Sequence, residues 1–393
     1  MRKFYPTKIE ERLRECAFFA VIGLGILALA GAVKEVRAQE NLKYEITKIV
    51  IPDPNANFSE ATCVNEYGEI VGFYGKKDSQ YRKLWRKSFL YKNGTVRDLG
   101  YSALDINPSG IYCNRSINDL GDIVVCSITM FKSFVYKIGE EPTELAFWGE
   151  DINNKGEVVG GIGNEIYLYS EGKTITLFHS GDGVETHAVN EYTQVVGSVY
   201  GFIGFPHAFL WENGTRTDLP GGFGGALDIN NKSQIAGYFI KLISGNPATN
   251  FACLWEKDSQ NKWVVRQLDT AVNSRANAIN DKGQIVGSET SLGWSYTPTK
   301  ATLYEIRNGE LIKVILNDFL PENSEWERLV CALDINDKGQ IVGYGEGRNE
   351  PGSQYAFVMT PIPQPSADLY KDGIVDFKDL AEFASQWLES NQR

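Results

Sequence analysis

Asp368, Asp372, Asp376 and Asp379 stand at positions 1, 5, 9 and 12 of a twelve-residue stretch with Gly373 at position 6 and the Ile374 carbonyl at position 7. Oxygen donors at this spacing wrap a single Ca²⁺, and glycine permits the sharp bend between them. Tyr370 at position 3 withholds a side-chain oxygen, which lowers the expected affinity. Phe377, Leu380, Phe383, Ala384 and Trp387 then share one face of a helix. The alternative reading is an acidic, amphipathic tail helix packed on the rest of the chain.

Residue types that carry catalysis are sparse elsewhere. His179, His187 and His207 are the only histidines, with no two-His zinc spacing among them, and no Ser or Cys sits in a nucleophile elbow. His187 occupies a strand position filled by Leu in two other copies of the repeat described below, so core packing is expected of it. Glu150, Asp228 and Asp334 recur two or three places before a repeated Asn, and Asp105 two places before Asn107, a pattern that points to a structural role in each unit. Paired carboxylates for glycoside hydrolysis are set by distance in space, so spacing leaves that chemistry open. "GGFGG" (221–225) joins two strands and opens no helix, which argues against a phosphate loop.

Tyr81, Trp85, Tyr200, Phe202, Trp294 and Tyr296 form a third group, carried on the longest and most variable segments. Flat aromatic faces stack on sugar rings or polymer chains, and variable loops on a rigid scaffold are the usual place for binding. These six are the candidates for a ligand face.

What must position them is a repeat. "INDKGQIVG" occurs at 279–287 and again at 335–343, and aligning the chain on its Asn finds related copies at Asn65, Asn118, Asn153, Asn190, Asn230, Asn280 and Asn336. The gaps are 53, 35, 37, 40, 50 and 56 residues, periods that mark a solenoid or a propeller. Each copy reads as two strands around a tight turn, with Asn bonding its own backbone two residues on and the Gly three places later free to take positive φ. A second aromatic-rich hairpin follows, as in "SFLYKNGTVRDLG" (88–100) and "HAFLWENGTRTDL" (207–219), giving four strands per unit.

The seventh unit ends at "YAFVMTP" (355–361) without a fourth strand, while "YEITKIVI" (44–51) precedes the first unit and alternates like one. Pairing these ends removes both open sheet edges. The expected fold is all-β, a seven-bladed propeller of four-stranded blades closed by an N-terminal strand, spanning 39–361. Pro361, Pro363 and Pro365 make a stiff spacer, with a linker at 362–367 and the calcium loop and helix at 368–393.

"HAFLW" (207–211) together with "INDKGQIVG" resembles the HAF repeat family of extracellular bacterial proteins, over about 44–361. Only one unit keeps the His, so the resemblance implies no shared catalytic imidazole. The tail resembles one repeat of a type I dockerin, an EF-hand-like module, although dockerins carry two repeats. That likeness implies calcium-dependent docking to a cohesin-like partner.

Lys and Arg (39) fall short of Asp and Glu (50), and a net charge of −11 gives no attraction to nucleic acid or anionic lipid. Arg2, Lys3, Lys8, Arg12 and Arg14 precede an apolar run from Ala17 to Val33, and Val36-Arg37-Ala38 offers small residues at a cleavage site. An export signal over 1–38 is expected, which leaves the mature chain at −14. A retained anchor is the competing reading, since a run of 17 residues is at the short limit for a bilayer. Five cysteines remain after cleavage, and Cys113 and Cys126 flank a turn closely enough for a cross-strand disulfide to be weighed against small apolar strand residues.

The functional expectation is a secreted, non-catalytic binding or scaffold protein. Its variable-loop face recognises carbohydrate or protein at the cell envelope, and its tail docks through calcium. The alternative is a polysaccharide-active enzyme, hydrolase or lyase, carrying the same tail.

Overall fold

A computed structural model describes residues 44–362 apart from 78–82, 104–115, 128–131, 138, 182, 202–203, 243–248, 272, 291–297, 308 and 351, together with 380–381. The chain divides into a body, Ile46–Thr360, and the flanking segments Met1–Glu45 and Pro361–Arg393. The fold is an all-β, seven-bladed propeller with four-stranded blades.

After β1 (Tyr44–Lys48), blade 1 is β2 (Phe58–Val64), β3 (Ile70–Lys77), β4 (Lys83–Lys92) and β5 (Thr95–Ala103). Blade 2 has β6 (Ile123–Ser127), β7 (Lys132–Tyr136) and β8 (Thr143–Leu145), with its inner residues joined to β6 by an Ile117–Ile123 bridge. Blade 3 is β9 (Trp148–Ile152), β10 (Val158–Ile162), β11 (Glu165–Ser170) and β12 (Lys173–His179). Blade 4 is β13 (Val184–Val189), β14 (Val195–Tyr200), β15 (Pro206–Glu212) and β16 (Thr215–Asp218). Blade 5 is β17 (Gly224–Ile229), β18 (Ile235–Lys241), β19 (Thr249–Lys257) and β20 (Trp263–Gln267). Blade 6 is β21 (Arg275–Ile279), β22 (Ile285–Glu289), β23 (Lys300–Arg307) and β24 (Glu310–Ile315). Blade 7 is β25 (Trp326–Ile335), β26 (Ile341–Gly347) and β27 (Tyr355–Pro361), completed on its outer edge by β1. The N-terminal strand thus closes the ring as its alternation predicts.

Antiparallel order within each blade puts the Asn turn and the second hairpin turn on one face, the turn face. The connections after the second and fourth strands share the other, the loop face. Asn93 (φ 50) with Gly94 (φ 76), and Asn213 (φ 49) with Gly214 (φ 80), have the paired positive φ of type I′ hairpins. Apolar cores lie between neighbouring blades. One cluster joins Ala188, Val196 and Leu210 of blade 4 to Ile229, Ile235 and Trp255 of blade 5. Another joins Val64, Ile70 and Phe89 of blade 1 to Val342, Ala356 and Val358 of blade 7.

A β-bulge recurs in the innermost strand. In six blades the register skips one residue, at Thr62, Glu150, His187, Leu227, Asn277 and Leu333. The bulge presses an inner-strand carbonyl onto the Gly that ends each Asn motif. A Cβ on Gly72, Gly160, Gly197, Gly237, Gly287 or Gly343 would stand only 1.7 to 2.1 Å from that oxygen. This glycine is required for close approach rather than for a turn. Phe89, Phe209 and Phe357 on the third strands pair directly with Gly72, Gly197 and Gly343, and the rings of Phe89 and Phe209 lie against their glycines. The Phe of "HAF" therefore covers the bare backbone of its neighbour. Blade 2 carries Val125 at the glycine position, and its described inner pairing runs to Val124 N–H donating to the Ser116 carbonyl.

Candidate functional site

On the turn face, the repeated Asn does more than make a turn. Asn65 Oδ1 accepts from the N–H groups of Tyr67 (3.0 Å) and Glu69 (2.9 Å), as an Asx turn requires. Its Nδ2 donates to Glu69 Oε2 at 2.9 Å and to the Asn118 carbonyl of the next blade at 3.0 Å. The same inter-blade bond runs from Asn118 to Asn153, Asn190, Asn230, Asn280 and Asn336, and from Asn336 back to Asn65. Only Asn offers two donors and two acceptor sites at this reach, and here all are filled. The turn expected from the sequence is present, and the inter-blade bond is added to it; neighbouring copies lie too far apart in sequence for that bond to be visible there.

A second ring lies one residue on. The backbone N–H of Glu66, Asp119, Asn154, Glu191, Asn231, Asp281 and Asp337 each donates to the side-chain oxygen of the corresponding residue in the next blade, and Asp337 N–H returns to Glu66 Oε1. The polar groups of the motif are thereby committed to each other.

Inside the channel, carboxylates bridge blades in pairs. Asp334 accepts from Ile335 N–H of its own blade and Val64 N–H of blade 1, both at 2.8 Å. Asp228 accepts from Ile229 N–H (2.8 Å) and from Ile279 N–H of blade 6 (2.7 Å). Asp151 accepts from Val189 N–H of blade 4 at 2.9 Å and from Ser116 Oγ of blade 2 at 2.5 Å. Each carboxylate caps inner-strand N–H groups that have no strand beside them. Blades 1, 4 and 6, which receive these bonds, carry the small Cys63, Ala188 and Ala278 at the equivalent position. Enclosure raises all three acids: Asp151 is pushed up to about 6 by burial, against the pull of its donors. Asp228 lies well above the carboxylate range through burial and then the charge of Asp334, and Asp334 is raised by burial. Asp228 and Asp334 thus fill the structural role read from the sequence. In blade 3 that role belongs to Asp151, Glu150 being the bulge residue, and Asp105 lies outside the described residues.

The loop-face end of the channel is different. Glu185 and His187 on β13, Tyr200 at the end of β14, Tyr238 on β18 and Arg275 at the start of β21 converge there from three blades. Tyr200 OH donates to Glu185 Oε2 at 2.8 Å, and His187 Nε2 stands 4.0 Å from the same oxygen. The Arg275 guanidinium lies over the Tyr238 ring at 4.4 Å, and a Cβ at Gly225 would meet that ring at 2.8 Å, so the glycine gives Tyr238 its place. Burial lowers His187 to about 4, with Arg275 acting in the same direction and Glu185 opposing. The imidazole is neutral at neutral pH. Burial followed by the Glu185 bond raises Tyr200. Glu185 keeps 56% of its side-chain surface exposed, His187 only 18%. His187 is therefore a bulge residue beside a carboxylate at the channel mouth, where core packing was expected.

Of the six aromatic candidates, Tyr200 belongs to this cluster. Trp85 is on β4 with its side chain outside the described residues, as are Tyr81, Phe202, Trp294 and Tyr296 altogether. The calcium-loop residues Asp368, Asp372, Ile374, Asp376 and Asp379, and the leader over 1–38, also lie outside them. Cys63, Cys253 and Cys331 are free thiols. Cys126 is buried, and its Sγ donates to the Gly149 carbonyl at 2.9 Å; Cys113, the other cysteine weighed for a cross-strand disulfide, lies outside the described residues. Glu185 and Arg275 stand at one motif position, five residues before the Asn, which other copies fill with Glu60, Trp148, Gly225 and Cys331, and Tyr238 stands at another; they were missed because that position shows no common chemistry, and only the ring brings the three together. No helix among the described residues is long and apolar enough to cross a membrane.

The sequence family described as "Protein of unknown function (DUF3466)" matches residues 217–331. No curated protein matches the chain in sequence. The β-propeller domain of the Trilobed protease from Pyrococcus furiosus is similar in structure, with a TM-score of 0.50, 11% identity, 81% of this chain covered and 99% of that one. That domain is described as having an open velcro topology, whereas here β1 lies beside β27. A catalytically inactive virginiamycin B lyase from Staphylococcus aureus aligns with a TM-score of 0.46 and 10% identity, covering 81% of this chain and all (100%) of that one. An α-L-arabinofuranosidase from Fusarium graminearum aligns at 0.35 and 9% identity, over 81% and 97% of the two chains. At such identities the likeness is one of fold.

Proposed function

We propose that this chain is an exported binding protein whose loop face recognises carbohydrate or protein at the cell envelope, and whose calcium-loaded tail attaches it to a cohesin-like partner. The observation that carries the reading is the contrast between the two ends of the channel. On the turn face the motif's polar groups are consumed in closed rings. On the loop face an exposed carboxylate, a neutral imidazole, two phenols and a guanidinium come together on rigid inner strands, the arrangement from which selective binding is built. The tail reading rests on the spacing of Asp368, Asp372, Asp376 and Asp379 and on the resemblance to dockerin.

Retention of the purified full chain on an envelope fraction, in calcium and in chelator, tests both parts. Release by chelator, reproduced by an Asp372→Ala/Asp376→Ala variant, is expected if the tail attaches. Weakening by Tyr200→Ala is expected if the loop face binds. Equal retention of all forms under all conditions refutes the reading. The enzyme alternative draws on the same mouth, since Glu185, His187 and Tyr200 are acid–base group types. New reducing ends, or unsaturated sugar products, released from a polysaccharide and lost in Glu185→Gln would favour it.

A further inference from the structure

We infer that the loop-face mouth of the channel takes an acidic saccharide, a hexuronate whose carboxylate is received by Arg275. The inference rests on the reading of the loop face as the recognition surface and supplies its ligand class.

Arg275 is exposed at the start of β21, yet it is held in place by the Tyr238 ring beneath it. Among the described residues it has no ion-pair partner. A planar cation fixed by stacking, with its fork of donors unspent, is preorganised for a carboxylate. The surrounding groups suit sugar hydroxyls. Neutral imidazole at His187 offers one donor and one acceptor, and Glu185, with one oxygen engaged by Tyr200, retains acceptor sites facing solvent.

The flat surfaces continue outward from the mouth. Tyr200 also lines a cleft of about 320 Å³ with His207 and Arg216. The His207 ring meets Phe223 edge-on at 4.9 Å, and Phe205 lies 5.0 Å from the same ring. A cleft walled in part by Tyr200 and His207, and sharing Tyr200 with the cluster at the channel mouth, fits a chain of sugars better than one small anion. Arg216 is engaged by Asp218 at 3.0 Å, which leaves Arg275 as the anion-reading cation of this region.

The test is calorimetric titration of the full chain with uronate trisaccharides (galacturonate, glucuronate, mannuronate and guluronate) and with the same trisaccharides after carboxyl reduction. At least one uronate trisaccharide is expected to bind at least tenfold more tightly than its reduced form. Arg275→Gln is expected to erase that difference without changing the thermal midpoint, while Arg216→Gln preserves it. Equal binding of acidic and reduced forms, a preference that survives Arg275→Gln, or no binding of any uronate overturns the inference. If Tyr200→Ala weakens both forms alike while Arg275→Gln changes neither, the loop face remains the binding surface and only the acidic class falls. If neither substitution alters any binding, the loop-face reading falls too.

Discussion

Asn336 Nδ2 donates to the Asn65 carbonyl at 2.9 Å, joining residues 271 positions apart. This bond closes a ring of side chains on the turn face, while β1 beside β27 closes the sheet of blade 7. The propeller thus has two clasps of different kind, one built from repeated amide side chains and one from backbone pairing.

Asn280→Asp should therefore cost far more than an ordinary surface change. The substitution keeps the acceptor for the turn but removes the donors to Gln284 and to the Asn336 carbonyl, and sets a carboxylate against two acceptors. A buried network broken in this way costs about 3 kcal/mol. Lys282→Ala, two residues on and exposed, is expected within about 0.5 kcal/mol of the parent. Urea unfolding midpoints check both. Equal midpoints for the two variants would show that the ring contributes nothing.

The limit of sequence reading lies at this same network. Asn65 and Gly68 were legible as turn residues because their partners are two to four positions away, and the Gly68 φ of 75 agrees. Strand number and closure were legible because hydrophobic alternation and repeat count are local properties. The donation from Asn65 to Asn118, the capping of Val64 by Asp334, and the contact of Arg275 with Tyr238 join different copies of the repeat. They depend on where neighbouring blades stand, and no local pattern records that.

Two glycines give opposite reasons for the same residue, and substitution separates them. Gly94 has φ 76 with open space at its Cβ position, so Gly94→Ala meets only backbone strain, about 1 kcal/mol. Gly237 has a Cβ position 2.1 Å from the Gly225 carbonyl and 2.8 Å from the Trp255 ring. Gly237→Ala must displace backbone and is expected to cost more than about 4 kcal/mol, leaving little soluble folded protein. A soluble Gly237→Ala with a near-parental thermal midpoint would contradict the close-approach account of the motif's last glycine.

Thr193 and Ser233 occupy left-handed turn positions, both at φ 59, where all five other units carry described glycines at the same motif position. Each offsets its strain by reaching the preceding blade: Thr193 Oγ1 donates to Glu157 Oε2 and Ser233 Oγ to Gln194 Oε1, both at 2.9 Å. Thr193→Gly gives up the bond and the strain together, so its stability is expected within about 0.5 kcal/mol of the parent. Thr193→Ala gives up the bond and keeps the strain, and about 1 to 1.5 kcal/mol should be lost. Chemical denaturation of the pair tests this, and the expected order fails if alanine is the more stable.

The channel acids set the last prediction through its sign. Asp151 binds its proton up to about pH 6 in the folded chain, against an ordinary value of 3.8. Between those values the folded state holds a proton that the unfolded chain has released, so this group's contribution to stability falls as pH rises. His187, lowered to about 4, acts in the opposite direction, because the unfolded chain holds its proton up to about pH 6.5 and stability rises with pH over that window. The two slopes oppose in the parent, but a difference between the parent and Asp151→Asn removes the histidine's share. Asparagine stays neutral at every pH, so the cost of Asp151→Asn should be about 1 to 2 kcal/mol greater at pH 5 than at pH 8. Urea titrations of both proteins at the two pH values measure it. A cost that grows toward pH 8 would mean that the charged carboxylate is the favoured form, and that the N–H groups of Val189 and Ile152 outweigh its enclosure.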